Sequence, residues 1–303
     1  MEKQRQILYF INPISGTRNK ADLIKLIKDK TEQQQIPYQI LHTNAEGDYA
    51  YLPQKIADEN ITDVVVCGGD GTVSQIGAFL VGVDVNLGII PLGSGNGLAF
   101  AAKIPKLPHN ALQLIFKGQA AYIDGFYINN QFSCMLCGLG FDAQVAQDFA
   151  RQSKRGLATY IKQTVRNFFL AKPYPFTIAT NHGSFTCDAW FISIANSNQF
   201  GNNVTIAPKA SLNDGLLDIV VVKKMNKLLL LWKVFWQIRS GTIRPETSED
   251  FNKSSILYFN AASLIIHNPQ NAPLHIDGDP APSATNFTIG VVPSALRLIQ
   301  GNV

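Results

Sequence analysis

Three glycine-rich turns hold the residues whose types and spacing could do chemistry: NPISG at 12–16, GGDGT at 68–72 and GSGNG at 93–97. Each follows a short apolar run. Glycine in such a place lets backbone N–H groups come close to phosphate oxygens. Asp70, in the middle turn, complicates that picture, because a carboxylate repels phosphate unless a divalent cation lies between them. The turn therefore points to a metal-bridged nucleotide; the plainer reading is an aspartate that stabilises its own turn. Neither the G-x-G-x-x-G dinucleotide pattern nor the G-x-x-x-x-G-K-[ST] P-loop occurs at these turns.

The elements that must position these turns alternate in type over the first 120 residues. ILYFINP (7–13) reads as a strand stopped by Pro13. Leu23, Ile24 and Ile27 lie at helical spacing between Asn19 and about Gln35. YQILHT (38–43), VVVC (64–67) and LGIIPLG (87–93) read as strands, and 48–60 and 72–82 as helices, the former interrupted near Pro53. Apolar runs without alternation imply cover on both faces, as in a parallel sheet built from βαβ units. Ligands of such sheets bind at the carboxyl ends of the strands, so the three turns form one rim.

After about Ala120 the texture changes to many short β-rich runs separated by turn residues, which suits an antiparallel sandwich or barrel. Helical interruptions are expected at 141–170 and 226–239. The texture divides the chain into a Rossmann-like, three-layer α/β domain over 1–122 and an all-β domain over 123–290.

The chain has 303 residues, 46% of them hydrophobic and 16% charged, with a net charge of +4. These values suit a globular protein with two cores and make nucleic acid a weak expectation, since no basic run or nucleic-acid-binding signature is present. The start lacks a signal-peptide pattern, and the most apolar run, LLLLWKVFW at 228–236, is too short to span a bilayer and carries Lys233. A cytoplasmic protein is expected. Cys67, Cys134, Cys137 and Cys187 lie in apolar settings and read as buried thiols.

The ordered set NPISG, CGGDGTVSQI, PLGSGNGLA, YIDGF, GLGFDA, APKASLNDGLLDIVVV and HIDGDP resembles the diacylglycerol kinase catalytic-domain family, which includes bacterial lipid kinases and sphingosine and ceramide kinases. The resemblance runs through nearly the whole chain. It implies Mg²⁺-dependent transfer of the γ-phosphoryl group of ATP to a lipid hydroxyl, a nucleotide-binding α/β domain with the nucleotide cleft between it and a β-sandwich domain, and residues 291–303 packing back on the first domain. By position, Asn12, Pro13, Ser15 and Gly16 match the first phosphate-side loop, Thr43 a nucleotide contact after the second strand, and Gly68, Gly69, Asp70, Gly71, Thr72, Val73 and Ser74 the nucleotide loop. Ser94, Gly95 and Asn96 match the third loop. Asp214, with the backbone carbonyls of Ser211 and Leu216, matches a structural metal site of hard oxygen donors, although Asn213-Asp214-Gly215 also reads as a simple tight turn. Asp277 and Asp279 match the acidic D-G-E motif that supplies a general base, Asp279 standing where the family usually has Glu. With Asp70 they form the expected catalytic set. Asp124 and Asp142 match further family acids, and His275 shares a face with Asp277 and Asp279 in an extended strand.

The third loop has Asn96-Gly97-Leu98-Ala99 where many bacterial diacylglycerol kinases have N-D-F-A, and Ser74-Gln75 replaces N-E in the following helix. A sphingoid base or ceramide therefore competes with diacylglycerol as the acceptor. The GGDGT turn would also suit an NAD-kinase-like enzyme, and the two lost acids would suit a nucleotide-binding homologue without catalysis. The segment 223–241, with Trp232 and Trp236 among Lys and Arg, reads first as a connecting helix on the sandwich and second as a membrane-interface helix. The expected partner is a membrane lipid met at the inner face of the membrane, and the sequence allows a homodimer without fixing the oligomeric state.

Overall fold

A computed structural model of the chain describes residues 4–16, 19–152, 157–181, 183–201, 204–205, 207, 209–227 and 254–301. The first part runs β1 (Ile7–Ile11), α1 (Lys20–Gln33), β2 (Tyr38–His42), α2 (Leu52–Asp58), β3 (Asp63–Gly68), α3 (Asp70–Gly77), β4 (Asn86–Pro91), α4 (Gly97–Ala101) and α5 (Pro108–Lys117). β1 pairs with β2 and β3, and β3 with β4, all in parallel. Every residue of β1 and β3 is buried, the consequence of cover on both faces.

Local chemistry sets the helix starts. The Asn19 side chain accepts from Ala21 N and caps α1. Pro53, expected to interrupt its helix, sits in the first turn of α2, where an absent N–H costs nothing. α3 begins at Asp70 rather than at 72, because extended Gly69 serves as its N-cap and carries the acid into the first turn. α5, which hydrophobic alternation passes over, opens on Pro108 and ends at left-handed Gly118.

The second part comprises β5 (Ala120–Ile128), β6 (Gln131–Ser133), β7 (Leu136–Gly140), α6 (Phe141–Ala150), α7 (Leu157–Leu170), β8 (Tyr174–Thr180), β9 (Gly183–Ala195), β10 (Gln199–Gly201) and β11 (Val204–Thr205). It continues with β12 (Leu217–Lys223), β13 (Ile256–Ala261), β14 (Ser263–His267), β15 (Leu274–Ile276), β16 (Asp279–Ala281) and β17 (Asn286–Ile299). These strands pair antiparallel among themselves and enclose a second core that includes Phe176, Ile192, Ile219, Leu257 and Phe287. The helical stretch at 141–170 divides into α6 and α7. Of the helix expected at 226–239, the part from residue 228 on, with Trp232 and Trp236, lies outside the described residues. Cys67, Cys134 and Cys137 are buried free thiols, and Cys187 is half-buried.

β17 belongs to both parts. Its first half pairs with β14, and Arg297 and Leu298 run parallel to Asn86 and Leu87 of β4. The strand shifts register against β5 between Val292 and Leu296, with Ser294 left-handed at φ 53°. There the buried Asp124 accepts from Ser294 N at 2.8 Å and from Gly215 N at 2.7 Å. One carboxylate thus ties β5, β17 and the 211–216 loop together, and the glycine turns and the acidic hairpin share a continuous frame.

Candidate active site

The three glycine turns follow β1, β3 and β4, and all lie at one end of the parallel sheet. Asn12 Nδ2 donates to Thr72 Oγ1 at 2.8 Å, joining the first turn to the second. Gly16 is left-handed at φ 64°, and a Cβ there would collide with Leu92 O, so the first turn also rests on the third. A Cβ on Gly93 would lie 2.7 Å from Gly69 Cα. The second and third turns therefore touch backbone to backbone, which only glycine permits.

Asp70 locks that contact. Its carboxylate accepts from Gly97 N at 3.0 Å and Leu98 N at 3.4 Å, the first amides of α4. Asn96, left-handed at φ 52°, turns the chain into α4, and its Nδ2 donates to Gly93 O at 2.7 Å. The oxygens expected to reach phosphate through a metal are thus first engaged with the neighbouring turn. A carboxylate has about four lone-pair sites, so two amide bonds leave acceptor capacity for a hard cation.

The acidic segment forms a β15–β16 hairpin. Ile276 pairs with Asp279, and the two residues between them, Asp277 at φ 53° and Gly278 at φ 84°, make an Asp-Gly turn of the type that hairpins prefer. Asp277 points inward. Its Oδ1 accepts from Ser133 Oγ at 2.7 Å and Leu136 N at 3.2 Å, and its Oδ2 is shut off from solvent. Asp279 points outward to the rim: a Cβ on Gly71 would collide with its Oδ2. The hairpin thereby sets a solvent-facing carboxylate against the first turn of α3, whose leading amides suit an anion.

Burial, above all, raises both inner acids. Asp277 is pushed up from 3.8 to about 7, opposed by Ser74, Ser133 and Leu136 N and reinforced by Asp70. Asp70 rises from 3.8 to about 6, also through desolvation first, with the amides of Gly97, Leu98 and Asn96 opposing and Asp279 adding.

The other expected residues fall into three groups. Pro13, Ser15, Gly16, Ser94 and Gly95 lie on the accessible edge of the rim, and Thr43 follows β2 there, its N–H donating to Ile11 O at 3.0 Å. Val73 and Ser74 turn inward at 1% and 4% exposure, and Ser74 Oγ lies 3.5 Å from Cys134 Sγ, so these two support the turn from behind. Ser211, Asp214 and Leu216 share the loop fastened by Asp124, where Asp214 Oδ1 accepts from Leu216 N at 3.1 Å. One carboxylate and two carbonyls are hard oxygen donors, and their partly exposed setting suits a cation that keeps several waters. Among the described residues no group of three or more His, Cys, Asp or Glu side chains forms a metal site. Sequence reasoning missed Ser133, which lies 144 residues from the Asp277 it anchors. It also missed Lys20, whose Nζ donates to Ser15 O at 2.5 Å behind the first turn.

A rim of glycine turns facing a carboxylate hairpin, on an α/β domain joined to a β-sandwich, fits a nucleotide-dependent phosphotransferase. Residues 6–128 match the family described as "Diacylglycerol kinase catalytic domain", and residues 136–300 match "YegS C-terminal NAD kinase beta sandwich-like domain". The chain belongs to the family that joins these two domains. It is 28% identical over 282 residues to a "Probable lipid kinase YegS-like" of Cronobacter sakazakii, covering 90% of this chain and 88% of the relative. It is likewise 28% identical over 284 residues to a "Probable lipid kinase YegS" of Escherichia fergusonii, covering 91% and 89%. The crystal structure of a diacylglycerol kinase from Bacillus anthracis superposes with a TM-score of 0.73 at 21% identity over 99% of this chain and 98% of that one. Another structure from the same organism gives 0.80 at 22% identity over 99% of each. These likenesses establish the shared fold. Among the described residues no helix is long and apolar enough to cross a membrane.

The Asp277 shift has a testable sign. Between about pH 4 and pH 7 the folded chain keeps a proton that the unfolded chain has released, so this group's contribution to stability falls as pH rises through that window. Asp277→Asn keeps an oxygen acceptor for Ser133 and Leu136 N but cannot titrate. Thermal melts are expected to show the variant gaining on the wild type as pH rises from about 5 to 8; melting curves with parallel pH dependence would contradict the assignment.

Proposed function

We propose that this lipid kinase transfers the γ-phosphoryl group of ATP to a free hydroxyl of a membrane lipid of the diacylglycerol class. The observation that carries the reading is the approach of Asp279 to Gly71, which sets a solvent-facing base beside the first turn of α3. The triphosphate lies on the amides of the 12–16, 68–74 and 93–97 turns. Asp279, rather than the enclosed Asp277, receives the proton of the acceptor hydroxyl. The lipid oxygen forms its bond to the γ-phosphorus as the bond to the β,γ-bridging oxygen breaks, leaving ADP. Asp277 holds the hairpin against Ser133 and Leu136. Mg²⁺, for which Asp70 on the phosphate side and Asp214 with the carbonyls of Ser211 and Leu216 have suitable oxygens, supplies charge neutralisation and order when bound.

A membrane-borne acceptor also accounts for α7. Its Val165, Phe169 and Leu170 are 53%, 70% and 68% exposed, beside exposed Lys162 and Arg166, while polar Gln163 and Asn167 are buried. This inverted helix offers apolar and cationic groups together, as contact with an anionic lipid surface requires.

Incubation with γ-labelled ATP, Mg²⁺ and a total lipid extract is expected to label a lipid, and mass spectrometry then separates a glycerolipid from a sphingoid product. Label in a water-soluble acceptor would favour an NAD-kinase-like enzyme instead, and tight ATP binding without turnover an inactive homologue. Asp279→Asn is expected to lower kcat by about a hundredfold, and Asp279→Glu to retain most of it; full activity in Asp279→Asn excludes this base. Phe169→Ser with Leu170→Ser is expected to reduce retention on anionic vesicles while sparing activity on detergent-dispersed lipid, and unchanged retention removes α7 as the contact.

A further inference from the structure

We propose that His275 and Asp142 form a buried positioning pair that fixes the Asp277-Gly278-Asp279 turn, and through it the placement of the Asp279 carboxylate at the nucleotide rim. The inference rests on the lipid kinase reading and adds to it residues that touch neither nucleotide nor acceptor.

The turn leaves two inner amides to satisfy. Asp277 N donates to Leu136 O at 2.9 Å, and Gly278 N donates to His275 Nδ1 at 3.3 Å. A ring nitrogen that accepts carries no proton, so the imidazole proton sits on Nε2, which faces Asp142 Oδ2 at 3.3 Å. The other oxygen of Asp142 accepts from Ala143 N at 2.8 Å in the first turn of α6, so the carboxylate is itself held. His275 is 0% exposed and the Asp142 side chain 8%. Gly138 stands opposite His275 in β7, and a Cβ there would collide with Asp142 Oδ2 and His275 Nε2. The sheet therefore leaves a slot one side chain deep for this pair. Tilting the ring redirects the Gly278 N–H, and Asp279 is the next residue along. The chain of contacts from α6 to the base is Asp142, His275, Gly278, Asp279.

Three full-length variants and a spectrum test the pair. His275→Leu keeps bulk without an acceptor and is expected to lower kcat about tenfold to a hundredfold, with KM for ATP within about twofold, because misplacement by about 1 Å is costly in that range. His275→Asn places an oxygen near the lost Nδ1 and is expected to recover most of kcat. The ¹⁵N shifts of the wild-type ring are expected to report an unprotonated Nδ1 and a protonated Nε2, with Nε2 shifted by Asp142→Ala. Equal kcat losses in the Leu and Asn variants, a raised KM for ATP at unchanged kcat, or the opposite tautomer would each overturn the proposal. Where His275→Leu fails to fold, His275→Asn and the spectrum decide. A wild-type chain that phosphorylates no lipid contradicts the kinase reading instead, since the spectrum is read without substrate.

Discussion

The bond between the Asp70 carboxylate and the first amides of α4 is the constraint on which the rest of the site depends. Gly69 and Gly93 pack backbone to backbone while that bond holds the second turn to the third, and Asn12 adds the first turn through Thr72. Without it, the third turn would keep only its packing on Gly69 and on the first turn at Gly16 and Leu92. The contact also places charge where charge is costly. Burial raises Asp70 and Asp277, with Asp279 adding to the first shift and Asp70 to the second. A bound cation of the kind proposed above would offset these negative side chains before a negative ligand arrives.

The second requirement is that the acidic hairpin keep its distance from the rim. β17 meets it by pairing with β14 at one end and β4 at the other, and Asp124 fastens its irregular centre to the 211–216 loop. Gly71 and Asp279 therefore meet as parts of one sheet frame, in which strand register carries the β15–β16 hairpin and its turn to the rim.

Much of this was legible in the residues. Unbroken apolar runs at 7–11 and 64–67 identified parallel strands, and glycine after each located the rim; the Asp277-Gly278 pair carries the chemistry of a hairpin turn. What escaped was whatever depends on partners distant in sequence. Asp70 binds amides 27 and 28 residues away and Asp277 a hydroxyl 144 residues away, and no local pattern encodes either contact. Ser74 carries the right type for a phosphate contact but turns inward, because α3 starts at Asp70 and that phase points its fifth residue at Cys134. Local periodicity fixes which residues share a face, and packing of the second domain decides which face meets the ligand.

The central claim is that the three turns and the acidic hairpin make one nucleotide site. Amide hydrogen exchange with and without Mg²⁺ and an ATP analogue whose γ-phosphoryl cannot be transferred tests it most directly. The account predicts slowed exchange together at 12–16, 68–74, 93–97 and 277–279. Protection confined to one turn, or lying away from this rim, would contradict it.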